Sequence, residues 1–282
     1  MTEYKPRIMI SGETAGTGGS TTSKILSEAL GLPNISGGKY FRGLANRFDK
    51  FITDHKNLGL DENYQYFLSM YEHAYKNDGL NGVNHLVDDG FAEGAKGDAL
   101  AQFGAAIERN YERTRRVDKV WDYAVEQNTI LEALSKPGYV WEAKIAILAL
   151  ELDQMQSLLP QNEYSNTPYF KLLLNIDPKT AAERVGFRES RVVTGKEITQ
   201  RRDRDFARFG ELYTINGKPV RHSDLSMHAH TRINTKNIEQ VEVANEAIRT
   251  YLEQLHTLAI TVPMVTPPLI THLSRSLPIT KA

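Results

Sequence analysis

The stretch Gly12-Glu13-Thr14-Ala15-Gly16-Thr17-Gly18-Gly19-Ser20-Thr21-Thr22 constrains this chain more than any other. Its first eight residues hold four glycines. Gly loses more conformational freedom on folding than any other residue, so an ordered run of this kind has a use. A short apolar run from Arg7 to Ser11 precedes it. Apolar residues then recur at Ile25, Leu26, Ala29 and Leu30 with a helical period, and Gly31 follows as a stop signal. The opening therefore reads strand, glycine loop, helix. Glycines let backbone N–H groups approach a polyphosphate at positive φ. The following helix adds its own N-terminal N–H groups and dipole. A Ser or Thr in its first turn can ligate Mg2+. Gly12, Gly16, Thr17, Gly18, Gly19, Ser20 and Thr21 are accordingly the candidate phosphate-binding residues, with Ser20 also a metal ligand. The alternative is a strand–helix turn that holds nothing.

Against the pattern G-x-x-x-x-G-K-[ST], Gly18 as the second glycine leaves Ser20 in the hydroxyl position and Gly19 where Lys belongs. Gly12 then stands one residue too far away. Lys24, one helical turn on, is the candidate replacement cation.

Further along, Leu32 to Ser36 reads as a second short strand, and Tyr40, Phe41, Leu44, Ala45, Phe48 and Phe51 share one helical face. Residues 60–115 read as short helices broken near Asp78-Gly79, Asn81-Gly82 and Asp89-Gly90. Their aromatics, Tyr64, Tyr66, Phe67, Tyr71 and Tyr75, suit packing rather than base stacking. A helix is expected over 117–134, a strand over Tyr139 to Trp141 closed by Glu142, and an apolar helix over Ala143 to Leu152. Tyr169 to Ile176 has the pattern of a buried strand, and Asp177-Pro178 starts a charged helical stretch. A strand at Arg232 to Asn234 and a helix through Ile238, Val241, Ile248, Tyr251, Leu252 and Leu255 complete the pattern. Strands alternating with helices imply a parallel α/β sheet, whose ligands bind at the carboxyl ends of the strands.

Seven arginines, at 184, 188, 191, 201, 202, 204 and 208, crowd one segment. Arg201, Asp205 and Arg208 lie four and three residues apart and so share a helical face. Arg grips phosphate oxygens in two places at once. Phosphoryl transfer needs positive charge on the moving group and little covalent help. The competing reading is a solvated helix laced with ion pairs to Glu183, Glu189, Glu197, Asp203 and Asp205. Asp118 and Asp122 share a helical face and receive no role. His228-Ala229-His230 offers two metal ligands on one strand face, with no third indicated.

These segments together resemble cytidylate kinases, above all the short archaeal-type branch, which often carries Thr rather than Lys in its loop. Gly16 to Gly31 resembles that family's opening. Ser36-Gly37-Gly38-Lys39-Tyr40-Phe41-Arg42-Gly43-Leu44-Ala45 is similar to its S-x-G-x-x-F-R-x-L-A segment, and Val140-Trp141-Glu142-Ala143-Lys144 to its V-x-E-G-R strand end, with Lys144 where Arg is usual. Ala182-Glu183-Arg184, the run from Gln200 to Phe209 and Arg232-Ile233-Asn234-Thr235 resemble the lid opening, the lid's R-x-x-x-D-x-x-R and the late I-N-T strand. The resemblance covers roughly 7–50 and 117–258. It implies a P-loop kinase three-layer fold with a central parallel sheet, a helical insert and an arginine-rich lid. It implies ATP-dependent phosphorylation of a nucleoside monophosphate, CMP or dCMP first, with Mg2+ held by Ser20 and Glu142. Arg201, Asp205 and Arg208 would act in catalysis, and Ser36, Arg42, Lys144 and Arg184 would bind the acceptor. Residues 1–260 would form one domain: core 7–36, 137–180 and 214–260, acceptor-binding helices and insert 37–136, lid 181–213. A proline-bearing tail, 261–282, would follow. Two rival functions stay open: a kinase for another small acceptor, and a degenerate nucleotide-binding protein without turnover.

Composition excludes several other classes. The 282 residues suffice for a core without staples. Lys and Arg number 34 against 35 Asp and Glu, a balance that argues against a nucleic-acid polymer as partner. There is no cysteine, which removes thiolate metal sites and a cysteine nucleophile. No run approaches the roughly 20 apolar residues of a membrane helix, and the first residues do not form a signal peptide. The expectation is a cytoplasmic protein with no membrane partner and nucleotide substrates.

Overall fold

The computed structural model of the chain describes residues 5–88, 97–115, 118–156 and 169–257. Strand β1 (Arg7–Gly12) leads through the glycine loop into α1 (Gly19–Leu30), and β2 (Asn34–Ser36) leads into α2 (Gly37–Asp54). Two long helices follow, α3 (Leu60–Asp88) and α4 (Gly97–Thr114). One continuous rod then comprises α5 (Lys119–Asp122), a π turn (Tyr123–Gln127) and α6 (Asn128–Leu134). After β3 (Tyr139–Glu142) and β4 (Phe170–Asn175) come α7 (Pro178–Glu189) and α8 (Gly195–Leu212), the arginine-bearing pair. The chain closes with the hairpin β5 (Thr214–Ile215) and β6 (Lys218–Pro219), then α9 (His222–His228), β7 (Thr231–Asn234) and α10 (Gln240–Thr257).

Five strands form one parallel sheet in the order β2-β3-β1-β4-β7. A parallel sheet buried on both faces needs near-continuous apolar strands. β1 and β4 supply them: Ile8, Met9 and Ile10, and Leu172, Leu173 and Leu174, are all buried. Alternate side chains point to opposite faces. Ile8, Ile10, Leu172 and Leu174 pack with Ile25 and Leu26 of α1 and Val243 and Ile248 of α10. Met9, Trp141 and Leu173 face the other way, onto Ile130 and Leu134 of α6, Phe206 and Phe209 of α8 and Leu225 of α9. The result is helix, sheet, helix in three layers.

Helices α2 to α5 share a separate core: Phe48 and Leu44 from α2, Tyr64, Phe67 and Tyr71 from α3, Phe103 from α4 and Trp121 from α5. The packing expected for Tyr64, Phe67 and Tyr71 is therefore observed. Tyr66 is half exposed, and Tyr75 stacks on Tyr123 with ring centroids 4.2 Å apart.

Three local expectations change. Residues 60–88 form one long helix, kinked at Asp78 and Gly79, rather than several short ones. Gly79 takes φ +57, ψ −140, a conformation that suits only Gly, while Asn81-Gly82 continues the helix. Asp89-Gly90 and the tail from 261 lie outside the described residues. Ala143 to Leu152 forms short 3₁₀ turns, not a regular helix. The cause is Ser11, whose hydroxyl donates to Ala143 O and accepts from Ile147 N–H, breaking the bond an α-helix would make between those two groups. Finally, His228 ends α9 and His230 precedes β7, so they do not share a strand face. Among the described residues no group of three His, Asp or Glu is placed to hold a metal. No described helix is long and apolar enough to cross a membrane.

Candidate functional site

β1, β2 and β3 end side by side, and their last residues build the centre of the site. The parallel register sets Ser36 beside Glu142 and Ile10 on Glu142's other side. β1 then runs into the glycine loop. Gly16 and Gly18 sit at φ +85 and +86, and Gly18 caps α1 in the left-handed conformation. A Cβ on Gly16 would come 2.9 Å from Ala181 O, and one on Gly18 would come 2.3 Å from the Gln240 side chain. Positive φ favours Gly at both positions, and at Gly16 the backbone of α7 also leaves no room for a Cβ.

Ser20, in the first turn of α1, donates to Glu142 Oε2 at 3.3 Å, and Ser36 donates to the same oxygen at 3.0 Å. Burial raises the Glu142 carboxyl, and these hydroxyls together with Arg42 and Lys144 oppose that shift. The Ser20 hydroxyl and Glu142 carboxylate, side by side at the helix N-terminus, are the oxygen set expected of a magnesium site that completes its shell with phosphates and water.

A cleft of about 960 Å³ spreads over this centre. The whole glycine loop lines it, with Arg42, Glu142 and Lys144 on one side and Thr180, Arg184, Phe187 and Arg188 on the other. Arg201, Arg202, Asp205 and Phe206 of α8 form its roof, and 237–240 complete its edge. Six Lys or Arg (Arg42, Lys144, Arg184, Arg188, Arg201, Arg202) stand against four carboxylates (Glu13, Glu142, Asp205, Glu239), which favours an anion.

The structure sorts the candidates. The glycine loop, Arg42, Glu142, Lys144, Arg184, Arg201 and Asp205 converge on one cleft. Lys24 does not: it is 69% exposed and pairs with Glu28. The lysine facing the loop is Lys144, at the end of β3, and its ammonium bonds to Asp205. This partner holds the Asp205 carboxyl below its usual range against the opposing effect of burial. Asp205 therefore orients a lysine rather than its arginine neighbours. Ser36 faces Glu142 and does not line the cleft. Arg184 lies at the loop's far side, donating to Gly16 O at 3.4 Å and Thr235 O at 2.8 Å, away from Arg42 and Lys144. Arg201 is 3.6 Å from Glu189 and reaches the cleft.

Arg208 does not line the cleft: its guanidinium lies 3.7 Å from Asp122 Oδ1 at the end of α5, and its charge also acts on Asp205 and Lys144. Asp122 is 2% exposed, and neither of its carboxylate oxygens has a hydrogen-bond partner. Burial raises its pKa to about 6, with Arg208 opposing. Burial likewise raises Glu126, one turn on, to about 7, and its Oε2 is also without a partner. Phe187, Glu126 and the 237–240 edge escaped the sequence reading. An exposed Phe beside arginines was the available signal for the first, while a π turn leaves no period to read. The chain matches no protein-family model and no curated protein.

Proposed function

We propose that the chain is a P-loop kinase that transfers the γ-phosphoryl group of ATP to a nucleoside monophosphate, CMP or dCMP first. The observation that supports it best is the convergence of a glycine loop, the Ser20–Glu142 pair and the Arg201–Arg202 roof on one cleft. In this reading the N–H groups of residues 16–21 hold the donor phosphates. Ser20 and Glu142 would hold Mg2+, which when bound would neutralise phosphate charge. Arg42 and Lys144 hold the acceptor phosphate. One of its oxygens, already ionised, forms the new P–O bond as the bond to the leaving ADP oxygen breaks, so no general base is required. Arg201 and Arg202 stabilise the charge in transit, and closure of α7–α8 excludes water. Arg208, which does not line the cleft, acts through its charge on Asp205 and Lys144.

A coupled ADP-release assay with ATP and Mg2+ across the common ribo- and deoxyribonucleoside monophosphates tests this. Turnover with CMP or dCMP, reduced roughly 10³-fold in Arg201→Ala, is expected. Silence across the panel with ATP binding retained would sink the nucleotide-acceptor claim. Two observations favour a second reading, nucleotide binding without turnover: Gly19 replaces the loop lysine, and Lys144 is already engaged by Asp205.

A further inference from the structure

Behind the roof of the cleft, three segments meet at His222, the first residue of α9. Its ring lies edge-on to Phe206 of α8, with centroids 5.2 Å apart and planes at 83°. Arg202 and Asp203 of α8 face it, as do the backbone and the carboxylate of Glu13 at the start of the glycine loop. Glu13, Arg202 and Phe206 all line the cleft, whereas His222 stands behind them. Both sides of this contact are anchored. Glu13 N–H donates to Leu174 O at 2.9 Å, and the Glu13 carboxylate accepts from Arg232 at 2.8 Å. On the other side Val220 is buried, and its N–H donates to Tyr213 O at 3.1 Å. Arg221 N–H donates to Asp224 Oδ2 at 2.7 Å, and Leu225 is buried in the sheet core.

We infer that His222 is a positioning residue that couples the α8 roof to the glycine loop: neutral, it seats α8 over the loop, and protonated, it releases α8. Only the consequence for turnover rests on the kinase reading above. The direction follows from charge. A proton on the ring places a second positive charge in a half-buried site beside the Arg202 guanidinium. Burial first, and Arg202 next, lower the His222 ring below its usual range, with Glu13 and Asp203 opposing. Neither carboxylate is free to neutralise the ring fully. Asp203 accepts from Arg202 at 2.9 and 2.7 Å, Glu13 accepts from Arg232, and Asp224 on α9 is taken by the Arg221 N–H. A group harder to protonate here than in water shifts the equilibrium, once protonated, toward an arrangement that leaves it in water. The seated arrangement is therefore favoured above about pH 6.5, the ordinary histidine value, and loses ground as pH falls below it.

The chain has no cysteine, so two introduced ones can carry spin labels without background. Lys24→Cys on α1 and Lys196→Cys at the start of α8 replace exposed side chains. Pulsed EPR on the full chain should show the label distance lengthening between pH 8 and pH 5.5. The change should vanish in His222→Phe and in His222→Gln, neither of which titrates. The first keeps a ring against Phe206, and the second keeps a donor toward Glu13 should the first misfold. ADP release from ATP and CMP is measured over the same range. The acceptor phosphate itself titrates near pH 6, but equally for every variant, so the readout is the ratio of wild type to variant. That ratio should fall at least about threefold from pH 8 to pH 5.5. A distance that does not change with pH, or that changes equally in both variants, overturns the proposal. A flat ratio in an active enzyme does so as well. A distance change that depends on His222, with no turnover at any pH, overturns the kinase reading instead and leaves the coupling standing.

Discussion

Glu142 and Asp122 are carboxylates on either side of the arginine-bearing helix, in opposite conditions. Glu142 is half-buried and accepts from two serine hydroxyls. Asp122 is fully buried, with a guanidinium at 3.7 Å and no hydrogen bond. The first is held in place by its own protein. The second, with Glu126 behind it, keeps buried carboxylate oxygens that accept no hydrogen bond. An unsatisfied buried carboxylate costs stability, and proteins tolerate that cost mainly at sites that do something.

Substitution of Glu142 carries the largest expected effect. Glu142→Gln keeps both serine contacts but removes a charge from the proposed metal site. Turnover in the coupled assay should fall roughly 10²–10³-fold, with the unfolding midpoint little changed. A matching loss of stability would assign Glu142 to the fold and not to the site. At the other carboxylate the sign reverses. Folded Glu126 titrates at about 7 against 4.5 for the free group, so between those values the folded chain binds more protons than the unfolded one. Its contribution to stability therefore falls as pH rises through that window. Above pH 7 the difference amounts to about 3 kcal/mol. Glu126→Gln should raise the thermal midpoint by several degrees at pH 8 and leave it unchanged at pH 4. A destabilised variant at pH 8 would mean that Glu126 has a partner the contrast denies it.

The same contrast explains what could be read from the sequence. Positive-φ glycines, two apolar strands and a proline-started helix follow local rules, so β1, β4, α1 and α7 stand where the pattern puts them. The arginine spacing placed Arg201 in the cleft, yet the same helical face turned Arg208 to Asp122, a partner 86 positions away in sequence. Which group answers an arginine is decided by packing between distant segments. Ser11 is similar: one hydroxyl from β1 dissolves a helix that the apolar run Ala143 to Leu152 would otherwise form. Asp122 was visible as a carboxylate on a helix, but its burial arises where Arg208 and Tyr213, distant in sequence, come to lie beside it.

The smallest expected effect concerns how the insert meets α8. Among the described residues two polar contacts join α4 to α8: Arg204 with Glu108, and Tyr111 with Glu211 at 2.9 Å. The Arg204 and Glu108 side chains are about half exposed, so water competes for both. Exposed pairs of this kind contribute under about 1 kcal/mol. Phe206 and Phe209 of α8, by contrast, are buried against the sheet, and truncating either should cost about 3–5 kcal/mol. Packing on the core, rather than ties to the insert, should therefore hold α8 in position. A double-mutant cycle on Glu108→Ala and Arg204→Ala, read by urea unfolding, should give a coupling below about 1 kcal/mol. Turnover should also be unchanged, because neither residue lines the cleft. A coupling above about 2 kcal/mol, or a clear change in turnover, would show that the insert clamps α8, and the two regions would then have to be treated as one working unit.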